Sequence, residues 1–263
     1  MMGLSTEFKK HIVETIKICL REKFQNYDPE TAYMPFHYRL LGKDRMALFS
    51  FIQSLNTTFG TSIYEPVAKE LAGIRFKTVE TQFRLGNVVT QSAQNEIQKI
   101  MNDLSVGGSV DKLTETERIR MVADKGSTNG LNSVKVDLFL IAQDDEVFMF
   151  DLKTVKPNIT DFKSYKRTLL EWLAVYFYAH PRSKVHTLIS IPYNPYEPEP
   201  YARWTMKGML DLAEEVKVAD EFWDFLAGPG TYKDLLNCFE KAGIELRPEI
   251  DSYFSRFKNE KPK

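Results

Sequence analysis

Cysteine is scarce in this sequence. Cys19 and Cys238 are the only two in 263 residues; they lie far apart in segments of helical spacing, and neither has a metal-like partner nearby. That argues against a disulfide-stapled scaffold or a cysteine-held zinc and leaves two buried thiols. Long apolar runs are missing too, since charges interrupt each one well short of the roughly 20 residues a membrane helix needs. The opening residues, MMGLSTEFKK, hold no signal-peptide core, so the chain reads as cytoplasmic with no membrane partner. Net charge is small, -1 at pH 7, which excludes a basic coat over the whole surface but not a local basic groove. No internal repeat and no linker divides the chain. What is present, 43% hydrophobic and 27% charged residues, suits an ordinary globular protein with a substantial core. We read one domain over 1–263, mainly helical at 1–130, with its central part at 131–195 and a helical part at 196–263.

The central part is organised around Val134 to Thr154, VKVDLFLIAQDDEVFMFDLKT. Alternating side chains of a strand point to opposite faces. Two strands joined by a turn at Asp144 and Asp145 would place Val134, Val136, Leu138, Leu140, Phe148, Phe150 and Leu152 on one wholly apolar face. Lys135, Asp137, Phe139, Ile141, Val147, Met149, Asp151 and Lys153 fall on the other, which we expect to be the wetter one. A register symmetric about Asp144 sets Asp137 against Asp151. Like charges directly opposite are destabilising unless something lies between them. A divalent cation shared by the two carboxylates, with Lys153 beside them, is one reason to keep that arrangement. The alternative is plain: the charges pair as surface ion pairs of little worth.

Helical spacing surrounds the hairpin. Phe8, Ile12, Ile16, Leu20 and Phe24 mark a helix over 5–24, Arg45 to Leu55 a second, and Glu65 to Leu71 a third with Pro66 near its start. Asn56 to Ser62 and Ser105 to Thr116 read as connections. Ala93, Ile97, Ile100, Met101 and Leu104 line a helix within 87–104, with Glu96 at the edge of that stripe. After the hairpin a long helix has Thr160 or Asp161 as N-cap. Phe162, Tyr165, Leu169, Trp172, Leu173 and Tyr176 form its apolar side, while Lys163, Lys166 and Arg167 form another. Cations in the first turns oppose the helix macrodipole; an incoming phosphate would resolve the conflict, and a solvated charged face is the simpler reading. Lys184 to Ile191 is a buried strand that returns parallel to the hairpin through a right-handed crossover. The stiff loop PYNPYEPEP follows, then helices at Trp204–Val216, Ala219–Ala227, Thr231–Ala242 and Pro248–Phe257. The class is α/β, a mixed sheet flanked by helices.

An aspartate, then Asp-x-Lys after a hydrophobic strand, is the pattern of the PD-(D/E)xK nucleases, with Val136 standing where the shorthand has proline. PFHYRLLGKDRMALFSFIQSLNTTFGTSIYEPVAKELA (Pro35 to Ala72), MVADKG (Met121 to Gly126) and Val134 to Ala174 resemble the MjaII/TdeIII-type group of type II restriction endonucleases within that superfamily. The resemblance implies a restriction-endonuclease-like core with additional N- and C-terminal helices, and a homodimer that cuts double-stranded DNA at a short palindrome such as GGNCC, leaving 5′-phosphates. It also implies a companion DNA methyltransferase. Asp137, Asp151 and Lys153 would be catalytic; Asp137, Asp151 and the Leu152 carbonyl would hold Mg²⁺, with Glu96 or Glu65 as a further acidic ligand. Lys125, Asn129, Lys156, Lys163, Lys166 and Arg167 are the expected DNA contacts. A structure-specific resolvase or repair nuclease of the same fold, or a DNA-binding protein without chemistry, are the competing readings.

Overall fold

A computed structural model describes residues 3–153, 159–201 and 208–258, and the chain divides into two compact units, Met1–Glu70 with Gly228–Lys263 and Leu71–Ala227. In the first unit Ser5 accepts a hydrogen bond from the Phe8 amide and so caps α1 (Thr6–Asn26), whose four-residue apolar spacing buries Ile12 and Ile16, with the Cys19 thiol buried as expected. α2 (Pro35–Leu41) and α3 (Lys43–Phe59) meet at Gly42, where φ of +94° suits glycine. The expected connection at 56–62 is instead the end of α3 and a π-helical turn, Gly60–Tyr64, leading into α4 (Glu65–Ala72). The last helix among the described residues, α9 (Thr231–Ser255), is continuous where the sequence suggests a break at Gly243 and a restart at Pro248. Packing along α1 and α3 overrides the lost backbone donor, with the Tyr253 ring packed at a tilt against Phe24 and Phe51.

Among its described residues the second unit holds a five-stranded sheet in the order β1 (Thr78–Thr90), β2 (Thr128–Ile141), β3 (Val147–Leu152), β4 (Val185–Ile191) and β5 (Val216–Val218). β1 and β3 run antiparallel to β2, and β4 runs parallel to β3 and β5. The β2–β3 register, Leu138 with Phe150 and Ile141 with Val147, is the one symmetric about Asp144, and Asp145 takes the left-handed conformation at φ +70° to close the turn. α7 (Ile159–Ala179) makes the crossover from β3 to β4.

Several expectations need correction. The face expected to be wet is not: Phe139, Val147 and Met149 are buried, and Tyr176 of α7 covers Phe139. On the opposite face Phe150 meets Phe222, and Phe148 meets Phe225, of α8 (Asp220–Ala227), so both faces are covered. Strands buried on both sides need no alternation, which is why polarity alone misassigns the wet face of this hairpin. The sheet also extends beyond 131–195. Glu80, Gln82 and Arg84 stay exposed along β1, an edge strand whose charges mask its pattern. Within 105–116 the chain already enters α6 (Lys112–Arg120), capped by Asp111. Of the helix expected at Trp204–Val216, residues 204–207 lie outside the described residues and the remainder is turns leading into β5. α7 begins at Ile159, ahead of both expected caps.

Candidate active site

The paired part of β2 and β3 ends at Leu138 and Phe150, and the next residue of each strand is an aspartate. Here the ladder changes partner: the Leu152 amide donates to Oδ2 of Asp137 at 2.9 Å. Asp151 sits inside the sheet, beside Ile189 of β4, and is only 5% exposed. The Lys153 amide donates to the Ser190 carbonyl of β4 at 2.9 Å, which fixes the backbone from which its side chain turns back. Lys153 Nζ lies 2.7 Å from Oδ1 of Asp151 and 4.7 Å from the ring centre of Tyr165 on α7. The sheet and its crossover helix thus bring together the three groups that sequence spacing singles out.

The electrostatics of the pair are unequal. Burial pushes the Asp151 carboxyl up to about 6; the negative charge of Asp137 and a hydrogen bond with it act in the same direction, while Lys153 opposes them. Burial, with Asp161 and Asp151 nearby, pushes the Tyr165 phenol up to about 12, so it remains a neutral platform under the lysine. Two residues at this site carry no signal in the sequence. Gln82 of β1 donates from Nε2 to Oδ1 of Asp137 at 3.2 Å, and does so from a left-handed backbone, φ +53°, that a glutamine adopts only under constraint. Tyr165 reads from periodicity as ordinary core.

The donor set suits a hard divalent cation. It is all oxygen, it contains a carboxylate whose burial and carboxylate neighbour make ionisation costly, and a shared cation would remove that cost. Magnesium characteristically takes one or two carboxylates and keeps several waters. No third acid is gathered: among the described residues no group of three or more His, Cys, Asp or Glu side chains could hold a metal. Glu96, expected to aim at the sheet, is instead bonded to Arg118 at 2.7 Å and Lys99 at 3.3 Å; burial works against its charge, but these cations hold its carboxyl below the usual range. Glu65 is buried at the start of α4 in the helical unit.

The expected DNA contacts separate into distinct environments. Lys125 and Lys163 are exposed. Asn129 is bonded to Gln91 and Gln94, and Arg167 to Gln98. Lys156 lies outside the described residues. Lys166 must be withdrawn as a phosphate contact, because it has no exposed surface and its ammonium is held by Glu115 and, at 2.7 Å, by Glu215. Lys112 completes this buried quartet, 3.0 Å from Glu215 and 2.6 Å from Thr187 of β4. A helical wheel cannot tell a buried lysine from a solvated one when both flank the same apolar stripe.

The family model described as type II restriction endonuclease, HinfI, matches residues 4–243. The type II restriction enzyme MjaII of Methanocaldococcus jannaschii is 28% identical over 87% of this chain and 68% of its own. HgiCII and HgiEI, type II restriction enzymes of Herpetosiphon aurantiacus, are each 23% identical over 82% of this chain and 80% and 79% of theirs.

Proposed function

The chain belongs to the HinfI family of type II restriction endonucleases, and on that premise we propose that it makes Mg²⁺-dependent double-strand cuts in DNA at a short palindrome, leaving 5′-phosphates, with GGNCC the first sequence to test. The observation that carries the reading is the meeting of Asp137, Asp151 and Lys153 at one end of β3, with Lys153 Nζ 2.7 Å from Asp151. Asp137, Asp151 and the Leu152 carbonyl would hold the cation. When bound, Mg²⁺ supplies Lewis acidity to the scissile phosphate and to a water. Lys153 orients the attacking water and offers its positive charge to the phosphate. Gln82 and the Leu152 amide keep Asp137 in one orientation, each bonding a different carboxylate oxygen. Attack by water oxygen on phosphorus breaks the bond to the 3′ oxygen, leaving a 3′-hydroxyl and a 5′-phosphate. Lys163 and Lys125 would neutralise nearby phosphates, giving affinity without sequence information.

A palindromic site presents two scissile bonds, whereas one chain carries one Asp137–Asp151–Lys153 set, so we place the enzyme as a homodimer. The α2–α3 face supports this: α2 buries only Tyr38, while Phe36 and Leu40 are 85% and 83% exposed, and Leu48, Phe49 and Ile52 of α3 are exposed too. With Leu41 these make a concentration of exposed apolar side chains on two neighbouring helices, the kind of surface that marks a protein–protein contact. No helix among the described residues is long and apolar enough to cross a membrane. We place the enzyme in the cytoplasm, where a companion methyltransferase would protect host DNA. The test is digestion of unmethylated plasmid with Mg²⁺ or with EDTA, followed by sequencing of the ends. Discrete Mg²⁺-dependent cuts at one palindrome support the reading; cleavage governed by DNA structure, or none, refutes it.

A further inference from the structure

The helix α5 (Gln91–Ser105) presents to solvent a line made only of amides. Gln91, Asn95, Gln98 and Asn102 are all exposed and recur at steps of four, three and four residues, the spacing that keeps side chains in one line along a helix. They are linked in pairs, Gln91 donating to Asn95 at 3.0 Å and Gln98 to Asn102 at 2.7 Å. Neighbouring elements extend the line. Asn129 of β2 donates to Gln91 at 3.1 Å, and Arg167 of α7 donates to Gln98 at 2.6 Å. The exposed charges of the helix, Lys99 and Asp103, are engaged elsewhere, with Glu96 and Arg118.

Such a stripe is unusual for a surface helix, which ordinarily sets charged as well as polar residues toward water. Asparagine is among the weaker helix formers, so helix stability does not account for it either. An amide does offer a donor and an acceptor side by side, and with one or two pairings made here each keeps further hydrogen-bonding capacity. That combination complements base edges in the major groove, where Asn and Gln meet adenine and Arg meets guanine. From Gln91 to Asn102 the stripe runs about 16 Å at ~1.5 Å per residue, the span of about five base-pair steps at ~3.4 Å each. The same helix, α7, carries both Arg167, which holds Gln98, and Tyr165, whose ring lies under Lys153.

Resting on the restriction-endonuclease reading, we propose that α5 is the recognition helix, entering the major groove of duplex DNA and reading base edges through Gln91, Asn95, Gln98 and Arg167. The pairings within the stripe hold these groups in line before DNA arrives. Affinity comes from lysines elsewhere, and the uncharged stripe supplies discrimination.

The test compares wild type with Asn95→Ala, Gln98→Ala, Arg167→Ala and, as a phosphate-contact control, Lys163→Ala. Cleavage rates are measured on the cognate duplex found by end sequencing and on each single-base-pair variant of it, at several salt concentrations. The stripe variants are expected to lose roughly 5- to 150-fold of their preference at one or two positions, the worth of a bidentate base contact, with an unchanged salt slope. Lys163→Ala should slow cutting of every duplex alike and flatten the salt slope. If all three stripe variants keep the wild-type preference profile, or lose rate uniformly across sequences, the proposal is overturned. A wild-type enzyme that makes no discrete cuts would instead sink the functional reading, whatever α5 does.

Discussion

Replacing Asp151 with asparagine should stabilise the metal-free protein at neutral pH while ending catalysis. The carboxyl is buried and its pKa is pushed up from 3.8 to about 6. Folding therefore favours the protonated form. A folded-state pKa above the unfolded value means the native state binds the proton more tightly, so stability is greatest below about pH 4, falls as pH rises through 6, and then levels off. A rise of about two pH units, at roughly 1.4 kcal/mol for each, comes to about 3 kcal/mol. An asparagine at this position cannot ionise and keeps the low-pH stability throughout, so at pH 8 in EDTA Asp151→Asn should exceed wild type by up to about 3 kcal/mol, or roughly 6–12 °C in Tm. The two should converge near pH 4. Magnesium reverses the order of response: at ten times its Kd it adds about 1.4 kcal/mol to wild type and almost nothing to the variant. Urea and thermal melts from pH 4 to 8, with and without Mg²⁺, read all of this. Parallel pH curves for the two proteins, or a variant less stable than wild type at pH 8 in EDTA, would refute the account of the site.

Other outcomes follow from neighbouring geometry. Lys166→Met strips a buried ammonium from Glu115 and Glu215, so it should cost about 3–5 kcal/mol in urea melts and leave the salt dependence of DNA binding by the folded protein unchanged. Gln82→Gly relieves a left-handed glutamine while removing a bond to Asp137; its melting point should hold or rise by up to about 1 kcal/mol equivalent, with slower cleavage at saturating Mg²⁺. Leu40→Lys on α2 should shift the protein toward monomer in sedimentation while its circular dichroism stays that of the wild type; a monomeric wild type at micromolar concentration would remove α2–α3 as the dimer face.

The hairpin was legible because its message is short-range. Alternation between Val134 and Leu152 sets the faces, the Asp144–Asp145 turn sets the register, and together they bring Asp137 and Asp151 to one end of the pair. The return of β4 follows from helix length and apolar content. What depends on distant partners was not legible. Lys166 looks like a surface cation until Glu115 and Glu215 arrive from α6 and the segment before β5. Glu96 looks like a free ligand until Arg118 claims it. β1 escapes because an edge strand carries charges, and Gln82 because nothing in its neighbours announces a positive φ. Long-range pairing decided each of these.

The central claim is that Asp137, Asp151 and Lys153 form one metal-dependent cutting centre. Its most direct test is plasmid cleavage by wild type and Asp151→Ala in Mg²⁺, alongside duplex binding by both proteins in Ca²⁺. We predict that Asp151→Ala binds DNA within a few-fold of wild type and cuts none of it; Mg²⁺-dependent cutting at the same positions by the alanine variant would contradict the assignment.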